Sequence, residues 1–92
     1  MRLSDKIKQK LADRNISRLE LEQCFQNLEG TYLEDVRAEH KTNPTTKWFV
    51  AETDKGRLLK IMFVPEKDGI DIKSAYEATE EICRIYKKYA HC

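Results

Sequence analysis

Apolar residues along this chain change their spacing twice, and the changes divide it into helical and extended parts. Up to Gly30 they recur about a helical turn apart; from Tyr32 they alternate; near the C-terminus the helical spacing returns. Ser4 precedes Ile7 and Leu11, which are one turn apart, and this predicts a short first helix that ends near Asn15. Ser17 with Glu20 reads as a capping box, and Ile16 is placed to staple onto Leu21. The stripe Leu21, Cys24, Phe25, Leu28 then predicts a second helix stopped by Gly30. Thr79, followed by Glu80 and Glu81, opens a last helix with the stripe Ile82, Ile85, Tyr86, Tyr89 and with Lys87 and Lys88 near its negative end.

Between these helices the alternation predicts strands at about 32–38, 46–53, 57–64 and 69–75. Asp54-Lys55-Gly56 reads as a three-residue hairpin loop with glycine in the left-handed position, and Pro65 to Gly69 as a looser turn. Pairing Thr53 with Arg57 sets Phe49 opposite Ile61, Ala51 opposite Leu59, Trp48 opposite Met62 and Val50 opposite Lys60. On the next hairpin, Phe63 opposite Ile70 and Ile61 opposite Ile72 keeps one face apolar and sets Lys60 against Lys73. Trp48, Val50, Leu58, Lys60, Met62 and Lys73 then share the other face. Helices have to cover the apolar face. The expected architecture is a single α+β domain over residues 1–92: two N-terminal helices, a four-stranded mainly antiparallel sheet and a C-terminal helix.

Composition narrows the function classes. The net charge of +1 gives no global attraction to a polyanion, so any such site has to be local. Cations gather between Arg37 and Lys60, where Arg37, Lys41, Lys47, Lys55, Arg57 and Lys60 face only Glu39, Glu52 and Asp54. Cys24, Cys83 and Cys92 have no C-x-x-C spacing, which suggests neither a disulfide framework nor a zinc site, and no metal or cofactor is expected. No apolar run approaches the roughly 18 residues of a membrane span, so the expectation is a cytoplasmic protein without a membrane partner. The pattern sets no oligomeric state.

The remaining polar residues match the parts that metal-free RNA cleavage needs: a proton acceptor, a proton donor, cations for the transition-state charge and a ring for a base. His40 is a candidate general base, with a surface-loop histidine beside Lys41 and Asn43 as its other reading. Tyr76 is a candidate proton donor, and Arg57 a candidate for stabilising charge. Arg37, Lys41, Trp48, Lys60 and Lys73 are candidates for holding RNA. Strict alternation sends Arg57 and Lys60 to opposite faces unless a bulge intervenes. A non-catalytic module that binds protein or RNA through the Trp48 face accounts for the same residues.

The run from Gly56 to Phe63 and that from Ile70 to Glu81 resemble the BrnT-like toxins of the RelE/ParE superfamily, over roughly residues 30–90. Arg57, Ser74, Ala75, Ala78 and Thr79 match that family's G-R-x-L and I-S-A-R-x-A-T patterns, while Tyr76 stands where the family usually has arginine. A second set of segments is similar to short bacterial proteins described as ADP-ribosyl-(dinitrogen reductase) hydrolases: Arg37, Glu39 to Thr42, Pro44, Thr46, Trp48, Phe49, Ala51, Thr53 and Ala75 to Glu77. Magnesium-dependent removal of ADP-ribose needs several carboxylates on a much larger helical frame, so the toxin likeness is the one carried forward. It implies a RelE/BrnT-like fold and the toxin of a type II toxin–antitoxin pair that cuts RNA and is silenced by a small antitoxin protein. His40 would deprotonate a ribose 2′-hydroxyl, Arg57 with Lys60 or Lys73 would stabilise the charge, and Tyr76 would protonate the leaving oxygen.

Overall fold

A computed structural model describes residues 1–35 and 45–90. Arg37, His40, Lys41, His91 and Cys92 lie outside the described residues, as does the end of the first expected strand. The elements are α1 (Asp5–Asp13), α2 (Arg18–Asn27), β1 (Leu33–Glu34), β2 (Lys47–Glu52), β3 (Leu58–Glu66), β4 (Gly69–Glu77) and α3 (Glu80–Tyr89). The four strands form one antiparallel sheet in the order β1-β2-β3-β4, so the chain has the expected α+β class.

Each helix begins where its cap predicts. The Ser4 hydroxyl accepts from Ile7 N–H at 3.2 Å and Thr79 from Ile82 N–H at 3.2 Å. The Ser17–Glu20 box closes in both directions, at 3.1 and 3.0 Å. Helix α2 ends sooner than expected, with Leu28 already extended. Its last turn is tied to the β2–β3 hairpin instead: Asn27 Nδ2 donates to the Glu52 carbonyl at 2.9 Å and to Asp54 at 3.0 Å. Gly30 serves a close approach, because a Cβ there would lie 2.7 Å from the Tyr86 hydroxyl oxygen.

The first hairpin has the expected register in full, from Trp48 opposite Met62 to Ala51 opposite Leu59. Gly56 takes φ +83°, and Arg57 N–H reaches the Thr53 hydroxyl at 3.1 Å. The second hairpin differs. Its turn is the tight pair Lys67-Asp68, which sets Glu66 opposite Gly69 and Phe63 opposite Ile72 rather than Ile70. A bulge between Met62 and Phe63 then leaves Lys73 as the extra residue, since Met62 pairs with Ser74. The apolar pattern explains it: Ile72 and Ala75 are an odd number of residues apart, and only an inserted residue turns both into the core. Lys60 therefore faces Tyr76, not Lys73.

Helices α1 and α2 cover the face that carries Phe49, Ala51, Leu59, Ile61, Phe63, Ile72 and Ala75. They contribute Ile7, Leu11, Leu21 and Cys24, all buried. Phe25 and Tyr32 set their rings edge-on or tilted against Phe49 and Phe63, at centroid distances of 4.8 to 5.5 Å. The Cys24 thiol points to the Ala51 carbonyl at 3.6 Å, and burial pushes its pKa up to about 11, so it stays a small hydrophobe. Helix α3 packs at the β2 side, where Tyr86 is buried and donates to the Thr31 carbonyl at 2.8 Å. Of its expected stripe, Ile85 and Tyr89 remain exposed.

The N-terminus runs parallel along the outer edge of β4. Arg2 N–H donates to Ile70 and Ile72 N–H donates to Arg2, at 2.8 and 3.0 Å, which blocks part of an edge open to pairing.

Candidate functional site

Two groups of polar side chains leave the start of β3 on opposite sides, as alternation requires. Arg57 turns to the helix side. Its Nε donates to Glu77 at 2.8 Å, Nη1 to the Asn15 carbonyl at 2.6 Å and to Glu20 at 3.2 Å, and Nη2 to the Arg14 carbonyl at 3.0 Å. Those carbonyls end α1, so one guanidinium caps the C-terminus of a helix, favourable for a cation there. It also braces the capping box of α2 through Glu20. The Ser17 backbone N–H, with help from Arg57, holds the Glu20 carboxyl below its usual range. Arg57 thus joins α1, α2, β3 and β4 as a structural clamp.

Lys60 turns to the other side. Its ammonium lies 4.6 Å from the Trp48 ring centroid and 5.6 Å from that of Tyr76, with no carboxylate partner among the described residues. Trp48 is backed in turn by Tyr86, at 5.8 Å. Beyond Tyr76, Arg14 Cζ lies 5.7 Å from the ring centroid, and its Nη1 donates to the Ala75 carbonyl at 2.9 Å. The result is a row across three strands: Tyr86, Trp48, Lys60, Tyr76, Arg14. Three of its members come from register alone. Trp48 and Lys60 are diagonal neighbours on β2 and β3, and the bulge at Lys73 brings Tyr76 onto the same face.

Trp48, Lys60 and Tyr76, singled out from the sequence, are therefore together, and Arg57 stands apart from them on the helix side. Lys73 is not part of the row. It pairs with Asp71 at 2.9 Å, and Asp71 also binds Arg2 at 3.1 Å. The Arg2 hydrogen bond is the main cause that lowers the Asp71 pKa, with Lys73 adding to it. His40, Arg37 and Lys41 fall outside the described residues. Arg14 and Tyr86 were missed. The sequence shows Arg14 only as a residue in the last turn of a short helix, and its place beside Tyr76 depends on how that helix docks on β4.

Chemically, the row offers flat rings for stacking and two cations for an anion. Among the described residues, no group of three or more His, Cys, Asp or Glu side chains gathers as metal ligands, and no helix is long and apolar enough to cross a membrane. No protein-family model, curated protein or solved structure matches the chain.

Proposed function

We propose that this chain is a cytoplasmic RNA-binding protein that acts as the toxin of a type II toxin–antitoxin pair, cutting RNA without a metal ion and silenced by a small antitoxin protein. One observation carries the reading: the Lys60 ammonium sits between Trp48 and Tyr76, free of any carboxylate among the described residues. Rings interleaved with cations suit a single strand, whose unstacked bases lie on the rings while its phosphates meet the cations. His40 is the base that deprotonates a ribose 2′-hydroxyl, which attacks the adjacent phosphate in line. Tyr76 protonates the leaving 5′-oxygen. Arg57 is engaged by two carboxylates and two carbonyls on the helix side, so the developing charge is assigned to Lys60.

That engagement of Arg57 also favours a second reading, an RNA-binding module that does not cut. Incubating the purified protein with mixed RNA in EDTA separates the two. The toxin reading expects 2′,3′-cyclic phosphate ends and a rate about 10²–10⁴ lower for His40→Ala. RNA that is bound but stays intact leaves the module, and RNA that is neither cut nor bound ends both readings.

A further inference from the structure

Arg14 is held more firmly than an exposed arginine at a helix end needs to be. Its own N–H bonds to the Lys10 and Leu11 carbonyls at 3.1 and 3.2 Å, and its carbonyl receives Arg57 Nη2. The next residue, Asn15, turns left-handed at φ 55° and gives its carbonyl to the same guanidinium. A clamp from another element thus fixes the backbone on both sides of the Arg14 side chain. The side chain uses one of its five N–H donors on the Ala75 carbonyl and rests over the Tyr76 ring, with no carboxylate partner among the described residues. Among the described residues, Arg2, Arg18, Arg57 and Lys73 have carboxylates and Arg84 has none, but only Arg14 and Lys60 approach one and the same ring.

Lys60 approaches the same ring. The two cationic groups lie 5.7 and 5.6 Å from one centroid, and neither is paired with a carboxylate among the described residues. Two like charges brought to one ring repel each other, and anions bound beside them relieve this. We infer that Arg14 and Lys60 form a phosphate-binding site at the Tyr76 edge of the sheet, in which each takes a backbone phosphate of a single-stranded RNA lying along the Trp48–Tyr76 row. The inference rests on the RNA-binding reading above and adds a residue and a contact to it.

The division of labour follows from side-chain chemistry. The planar fork of Arg14 presents paired donors to phosphate oxygens, and its Nη1 bond to the Ala75 carbonyl anchors the group beside Tyr76. Lys60 supplies a point charge between two rings. Neither group reads a base edge, so the site is tolerant of sequence and selects for an unpaired strand.

The test is the salt dependence of binding to a fluorescently labelled oligouridine, measured by anisotropy for the parent, Arg14→Gln, Arg14→Lys, Lys60→Gln and, as a control at the hairpin tip, Lys55→Gln. Losing one phosphate contact to a single strand lowers the slope of log affinity against log salt by about 0.7. Arg14→Gln and Lys60→Gln are each expected to show that drop, with affinity severalfold weaker at low salt. Arg14→Lys should keep most of the slope, and Lys55→Gln should match the parent. If Arg14→Gln keeps the parental slope and affinity while Trp48→Ala abolishes binding, the phosphate site is wrong and the RNA-binding reading survives. If the parent itself binds no oligouridine, both fall. Melting curves confirm folding, and Arg14→Lys, which keeps a donor for the Ala75 carbonyl, stands in for Arg14→Gln if that variant melts early.

Discussion

Two cations at the start of β3 are used in opposite ways: Arg57, just before the strand, and Lys60, within it. Arg57 reaches the helix side and meets two carboxylates and two helix-end carbonyls. Lys60 reaches the other side and meets two aromatic rings. A cation whose donors are satisfied within the fold contributes to stability; one held in place with no counter-charge among the described residues keeps its donors for something else. Arg14 joins the two, with its backbone in the Arg57 clamp and its side chain on the Tyr76 ring. Which face a charge is on therefore says more about its use than its place in the sequence.

The contrast can be broken most forcefully with neighbours on β2. Phe49 is fully buried on the helix side, so Phe49→Ala is expected to cost about 3–5 kcal/mol and to leave a domain of this size barely folded at room temperature. Trp48→Ala, on the half-buried ring side, should cost only about 2 kcal/mol in a urea titration yet remove most RNA binding. Equal losses of stability for the two would show that the ring side is simply a second core. Next in size is Arg57→Ala. It leaves the helix-end carbonyls without that donor and Glu20 with only its Ser17 bonds, in a partly exposed place, and should cost about 2 kcal/mol, or roughly 10 °C in a melt followed by circular dichroism. A variant that melts like the parent but cuts RNA far more slowly would return Arg57 to the chemistry.

Local signals made much of this legible in the sequence. Caps at Ser4, Ser17 and Thr79, the Gly56 loop and the alternation of β2 and β3 each depend on residues close along the chain, so helix starts and the first hairpin register could be read directly. The second hairpin could not, because two small effects compound: a turn two residues long and one inserted residue at Lys73. A bulge reverses which side chains share a face, so it removed Lys73 from the row and brought in Tyr76. Arg14 was out of reach for a different reason. Nothing near it in sequence records that α1 docks along the β4 edge or that Arg57 will hold its carbonyl.

The smallest expected effect lies in acid, and it too should fall on one side only. Glu20 is held below its usual pKa first by the Ser17 backbone N–H and then by Arg57. A carboxylate with a depressed folded pKa contributes stability at pH values above its unfolded pKa, near 4, and that contribution fades as the pH falls through the folded value. Stability should thus fall as the pH drops below about 5, with Glu20 supplying on the order of 1 kcal/mol given its partial exposure. Urea titrations at several pH values should show a flatter acid limb for Glu20→Gln. For Arg57→Ala the flattening should be only partial, because the Ser17 bond remains. Lys60→Gln should run parallel to the parent, since its ammonium stabilises no carboxylate among the described residues. An acid limb that flattens in Lys60→Gln and persists in Glu20→Gln would mean that Lys60 is paired in solution after all, and would remove the premise that the ring side keeps its charge available for an anion.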